Sequence, residues 1–132
     1  MGMTVSALLS MPDSGASFEM FARQHFSNHW HVDLAERSVL VLGMVPKKFD
    51  LVSRDERYIG DAKWYRNIPV PAAKWSTISE YVWLLQRLTA EKVFLVFGND
   101  IKIPQRYLKR FGPLVAPVEF YFLDRTGNLR LL

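Results

Sequence analysis

The sequence predicts an α/β protein with a mixed central sheet. Segments whose apolar residues recur at helical spacing alternate with short segments dense in Val, Leu and Phe. Val93–Phe97 is a continuous apolar run closed by Gly98-Asn99, the pattern of a strand buried on both faces. Hydrophobic residues make up 49% of the 132, so a chain of one-domain length has the means to bury a core.

Ser14 and Ser17 are candidate N-caps for a first helix. Phe18, Phe21, Ala22 and Phe26 fall at i, i+3, i+4 and i+8, one helical face, and the helix is expected to end near Asn28. A strand is predicted over Ser38–Met44. Phe49–Ser53 and Tyr58–Trp64 read as two more, joined by the polar connection Arg54-Asp55-Glu56-Arg57 as a hairpin. The clearest helix is predicted over Trp75–Thr89, with Thr77 and Glu80 as a capping box and Ile78, Tyr81, Val82, Leu85 and Leu88 as its apolar stripe. A strand, a helix and then the buried strand Val93–Phe97 make a βαβ crossover, right-handed by default. Pro104 opens a third helix that Gly112-Pro113 stops. Val118–Leu123 and Leu129–Leu132 form a final hairpin around Asp124–Asn128.

The absence of cysteine excludes disulfides and thiolate chemistry. No run of about 18 apolar residues is present, so no membrane span or membrane partner is expected. Met1–Met11 lacks the basic region of a signal peptide, which makes a cytoplasmic location the expectation. Pro69 and Pro71 punctuate the middle without a change in composition, so residues 1–132 are read as one domain. The net charge of +4 is uneven. Residues 1–66 carry eight Lys/Arg and eight Asp/Glu, residues 67–132 nine and five, so the excess lies in the second half and permits a polyanionic partner.

Asp61 and Lys63 stand two apart on a predicted strand, so both side chains leave the same face. If the four-residue loop closes symmetrically, Ser53 faces Tyr58 and Asp50 faces Asp61. Two carboxylates and an ammonium then meet on one patch, with opposed Cβ atoms about 5 Å apart. Paired carboxylates repel unless a cation lies between them, and hard oxygen donors suit Mg²⁺ or Mn²⁺. Such an ion polarises a phosphoryl group and activates water, while a neighbouring lysine offsets the developing charge.

Phe49-Asp50, ten intervening residues and Asp61-Ala62-Lys63 resemble the PD-(D/E)xK signature of restriction-endonuclease-like and Holliday-junction-resolvase-like enzymes. The element order over residues 14–98 is similar to that superfamily's αβββαβ core, with a mixed sheet flanked by helices. The C-terminal helix and hairpin are additions to it. The resemblance implies that Asp50 and Asp61 bind Mg²⁺ or Mn²⁺ with help from the Ala62 carbonyl, and that Lys63 is catalytic. It points to Glu19 as a further acidic residue from the first helix. It implies phosphodiester hydrolysis in nucleic acid, DNA before RNA. Phe49 stands where the signature has proline, and the superfamily's second-helix motifs are not clearly present, although Gln86 occupies a position suited to a polar helper. The alternatives are a module that keeps this fold and binds nucleic acid or a protein without turnover, and a scaffold in which the three charges form an ordinary salt-bridge cluster.

Lys102, Arg106, Lys109 and Arg110 share roughly one helical face with no acid between them, which reads as a phosphate contact or a solvated face; Lys74 lies in the segment after the candidate strand. His25 and His29 are spaced i, i+4 with His31 close by, which suits zinc or simply a helix surface. Trp64, Tyr65, Trp75 and Trp83 suit either base stacking or core packing. A domain this small offers little surface for reading a site, so a homodimer is compatible with the sequence.

Overall fold

A computed structural model describes residues 14–66 and 74–132; Met1–Met11, Pro69 and Pro71 lie outside the described residues. The first helix, α1 (Gly15–Trp30), opens on Ser14, whose Oγ accepts from the Ser17 N–H while the Ser17 Oγ accepts from the Ser14 N–H. It runs two residues past Asn28 because His31 takes the left-handed conformation (φ 56°) and returns its N–H to Ser27.

The three strands that follow are β1 (Leu34–Val41), β2 (Val45–Ser53) and β3 (Tyr58–Trp64). The strand predicted over Ser38–Met44 is thus a strand and a turn. Leu42 and Gly43 both take positive φ, and the Met44 N–H closes on the Val41 carbonyl at 3.1 Å. Gly43 suits its position, but a leucine in that region is unusual, so the sequence signals the turn only through the glycine.

The second helix, α2 (Trp75–Leu85), begins on Lys74 without a side-chain cap. The capping box expected of Thr77 and Glu80 does not form, because Thr77 already lies inside the first turn. The helix also stops at Leu85 rather than Thr89. Then come β4 (Lys92–Gly98), α3 (Lys102–Phe111), β5 (Glu119–Leu123) and β6 (Leu129–Leu131). The Lys102 N–H donates to Asp100 Oδ1 ahead of α3, and Gly112-Pro113 turns the chain into a short 3₁₀ segment instead of ending it abruptly. Asp124 Oδ1 accepts from the Thr126 and Asn128 N–H groups, both at 2.9 Å, and sets the last hairpin.

The six strands form one sheet in sequence order, β1 to β6. Neighbours are antiparallel except β3–β4 and β4–β5, which are parallel, so the sheet is mixed. β4 shows why three layers result. Phe94 and Val96 pack with Phe18, Phe21 and Phe26 of α1, whereas Val93, Leu95 and Phe97 pack with Ile78, Val82 and Leu85 of α2 and Ile103 and Tyr107 of α3. One helix thus covers one face and two cover the other. Among the described residues no helix is long and apolar enough to cross a membrane.

The β2–β3 hairpin has the register its four-residue loop predicts, with Val52 opposite Ile59 and Leu51 opposite Gly60. β1 against β2 is irregular. Ala35 faces Val52 but Arg37 faces Phe49, so two steps on β1 span three on β2. The extra residue is a bulge at Asp50-Leu51. Phe49 and Val52 accordingly share the core under α2 and α3, while Leu51 packs under α1.

Candidate acidic site at the β2–β3 opening

Asp50 sits in this bulge, which re-aims its side chain relative to a regular strand. Beyond Leu51 and Gly60 the two strands are joined through side chains. Asp61 Oδ1 accepts the Asp50 N–H at 2.9 Å, and Asp50 Oδ2 accepts the Ala62 N–H at 3.1 Å. Each carboxylate thus bonds the backbone of the other strand at the opening, while the two side chains lead to opposite faces of the sheet. On the α1 side, a carboxylate oxygen of each of Glu19, Glu36 and Asp50 lies within 4.8 Å of the other two. On the α2 side, Lys63 Nζ donates to Asp61 Oδ2 at 2.7 Å and lies 3.3 Å from the centroid of the Tyr81 ring.

Several elements fix these groups. Gly60 leaves room for Phe94, whose ring atoms would sit 2.5 Å from an added Cβ, so β3 can press against α1's side of the core. Arg23 Nε donates to the Asp50 carbonyl at 2.8 Å and its guanidinium lies 3.7 Å from Glu19, clamping α1 to the bulge. Lys48 approaches Glu36 at 3.7 Å.

The electrostatics follow from burial. Asp61 is 3% exposed. Burial pushes its carboxyl up to about 7 and the Asp50 charge adds to this, against the pull of Lys63. The Glu19 carboxyl is raised by its partial burial and then by the Asp50 and Glu36 charges, with Arg23 opposing. Tyr65, whose buried hydroxyl has no hydrogen-bond partner among the described residues, is pushed up to about 12 by burial and by the Asp61 charge.

Of the residues singled out from the sequence, Asp61 and Lys63 pair on the α2 side and Asp50 joins Glu19 on the α1 side. The expected meeting of the Asp50 and Asp61 side chains on one face does not occur, because the bulge turns Asp50 to the other face, and Ala62 bonds Asp50 through its N–H. Glu36, Arg23 and the ring of Tyr81 carry no site signal in the sequence. Glu36 belongs to the part of β1 that lies before Ser38. By spacing Tyr81 belongs to the apolar stripe, and its ring does meet Phe49 edge-on at 6.2 Å. Gln86 does not serve the site: its amide donates to the Leu114 and Ala116 carbonyls. His25 packs edge-on against Phe21 and His29 lies beside Trp30, and the three histidines do not gather as a donor group among the described residues. Trp75 packs on Phe111, and Tyr65 and Trp64 lie against the core. Trp83 is exposed, under the guanidinium of Arg87 at 3.9 Å. Lys102, Arg106, Lys109 and Arg110 are all exposed on α3, and none forms an ion pair among the described residues. Lys74 Nζ lies 5.8 Å from the Tyr65 ring centroid.

The three gathered carboxylates of Glu19, Glu36 and Asp50 can hold a divalent cation. All the donors are hard oxygens, the set that suits Mg²⁺ or Mn²⁺ better than softer metals. Comparison of the chain with protein-family models, with curated proteins and with solved structures finds no match.

Proposed function

We propose that this chain is a metal-dependent phosphodiesterase of the PD-(D/E)xK type that hydrolyses nucleic acid, DNA in preference to RNA. The observation that carries the reading is Asp61. Its buried carboxylate bonds Lys63 Nζ on one oxygen and the Asp50 N–H on the other, while the Asp50 carboxylate gathers with Glu19 and Glu36. Carboxylates crowded in this way are costly without a counter-ion, and a divalent cation relieves them.

In this reading Asp50, with Glu19 and Glu36, holds Mg²⁺ or Mn²⁺ on the α1 side, and Asp61 stands behind it, bonding the Asp50 N–H and Lys63. When bound, the ion supplies Lewis-acid polarisation of the phosphoryl oxygen and a more acidic water. The chain's own work is positional. Lys63 holds its ammonium against Asp61 at the opening between the strands, to offset the charge that develops on phosphorus during in-line attack as the 3′ oxygen leaves. The exposed cations of α3, with Lys74, contact the phosphate backbone away from the reacting bond.

A second reading rests on the same pair. Asp61 and Lys63 satisfy each other at 2.7 Å, with side chains only 4% and 12% exposed, which a purely structural ion pair in a non-catalytic binding module would also do. A cleavage assay with Mg²⁺ and Mn²⁺ over linear, nicked, branched and single-stranded DNA and RNA separates the two. Metal-dependent cleavage supports the enzyme. Salt-sensitive binding without cleavage of any substrate supports the module.

A further inference from the structure

Lys63 carries an ammonium with three N–H donors on a side chain that is only 12% exposed. One donor goes to Asp61 Oδ2 at 2.7 Å. The other close neighbour of the nitrogen is the face of the Tyr81 ring, 3.3 Å from its centroid, well inside the range of a cation–π contact. Tyr81 belongs to α2, a helix anchored by the buried Ile78, Val82 and Leu85, and Phe49 meets its ring edge-on at 6.2 Å. The ring is therefore a fixed surface. Lys47 Nζ lies 4.9 Å from the same centroid, so a second cation faces this ring.

We infer that Tyr81 is a positioning residue for Lys63, its ring face and Asp61 together fixing the ammonium so that its remaining donor is directed at a phosphate oxygen. The role rests on the phosphodiesterase reading above, but the geometry that carries it does not. A lysine stem is flexible, and a single carboxylate contact leaves the ammonium free to pivot about it. A second contact from a different direction removes that freedom. Because the stabilising element is the ring quadrupole and not the hydroxyl, phenylalanine can replace tyrosine here and leucine cannot.

The test has an arm that needs no activity. In protein labelled with ¹³C-lysine, the Lys63 ε-methylene signals, assigned by their loss in Lys63→Arg, are expected upfield of the other lysines because they lie near the face of a ring. Tyr81→Phe keeps that shift and Tyr81→Leu abolishes it. In single-turnover cleavage at saturating enzyme, Tyr81→Leu is expected to slow the reaction about tenfold, the order of a desolvated cation–π contact, with Tyr81→Phe close to wild type. Circular dichroism and thermal melting of Tyr81→Phe and Tyr81→Met guard against a folding defect particular to leucine. An unshifted Lys63 signal in the wild type, or one that Tyr81→Leu leaves in place, overturns the inference. So does a Tyr81→Phe protein as slow as Tyr81→Leu. If the wild type cleaves no substrate while the Tyr81-dependent shift is present, the phosphodiesterase reading fails and the coupling of Tyr81 to Lys63 stands on the spectra.

Discussion

Arg23 on α1 donates its Nε–H to the backbone carbonyl of Asp50 on β2 at 2.8 Å, across 27 residues of sequence. A bulge leaves backbone groups without ladder partners, and here a charged donor from a helix supplies one. The same guanidinium reaches Glu19 at 3.7 Å, so one side chain sets two of the clustered carboxylates. Hydrogen bonds from charged donors contribute about 1.5 to 3 kcal/mol, and the partial exposure of Arg23 argues for the lower end, about 1.5. Arg23→Ala is therefore expected to lower stability by about that amount in urea unfolding and to weaken Mn²⁺ binding. Arg23→Lys restores the charge beside Glu19 but not the directed bond. Unchanged Mn²⁺ affinity in Arg23→Ala would show that the bulge holds Asp50 without this clamp.

Metal linkage gives the second prediction. A ligand that binds only the folded protein stabilises it, by about 2.7 kcal/mol at a hundred times its dissociation constant. Millimolar Mn²⁺ or Mg²⁺ is expected to raise the melting temperature of the wild type. Asp50→Asn should abolish the rise, because Asp50 is the gathered carboxylate that the bulge and Arg23 hold in place. Glu36→Gln should reduce it without abolishing it, since Glu36 is the exposed member of the three. A rise of equal size in the wild type and in Asp50→Asn would place the ion elsewhere on the chain.

Asp61 carries the pH dependence. Its carboxyl is raised from 3.8 to about 7, first by burial and then by the Asp50 charge. The folded state therefore binds the proton more tightly than the unfolded state does. Between those two values the native protein holds more protons, so stability falls as pH rises from about 4 to about 7 and this contribution is flat above. The slope is at most about 1.4 kcal/mol per pH unit for one group. Urea midpoints measured across that window should show the decline in the wild type and not in Asp61→Asn. Identical slopes in the two proteins would assign the proton to another group.

The centre of this site was legible in the sequence because its geometry is short-range. Asp61 and Lys63 share a strand, so strand periodicity suffices to pair them, and hairpin register brings the Asp50 backbone, though not its side chain, across to Asp61. The α1 side was not legible for the opposite reason. The Glu19–Glu36–Asp50 grouping depends on a bulge that nothing in Phe49-Asp50-Leu51 announces. It depends also on a strand whose first residues, Leu34-Ala35-Glu36-Arg37, have weak β propensity and are held extended by pairing with β2. Tyr81 was read by helical spacing alone, which cannot tell a ring against the core from a ring under an ammonium. The α2 cap failed similarly: Thr77 and Glu80 match a capping pattern, but the helix starts at Trp75, ahead of them.

The final prediction separates chemistry from binding. Lys63→Ala removes the ammonium beside Asp61 and leaves every acidic group in place. Loss of a preorganised charge where transition-state charge develops costs about 10² to 10³ in rate. Affinity for nucleic acid should change far less, because α3 presents Lys102, Arg106, Lys109 and Arg110 to solvent with no acidic partners among the described residues. Conversely, Arg106→Ala combined with Lys109→Ala should weaken binding to duplex DNA and reduce the slope of log affinity against log salt by about 2, close to one unit per phosphate contact removed. Single-turnover cleavage at saturating enzyme should be nearly unaffected in that double variant. Both quantities are measured for both proteins on one substrate. A Lys63→Ala protein that cleaves at the wild-type rate removes Lys63 from the chemistry. A double variant with an unaltered salt slope removes α3 from the nucleic-acid surface and leaves Lys47, Lys48 and Lys74 as the cations to test next.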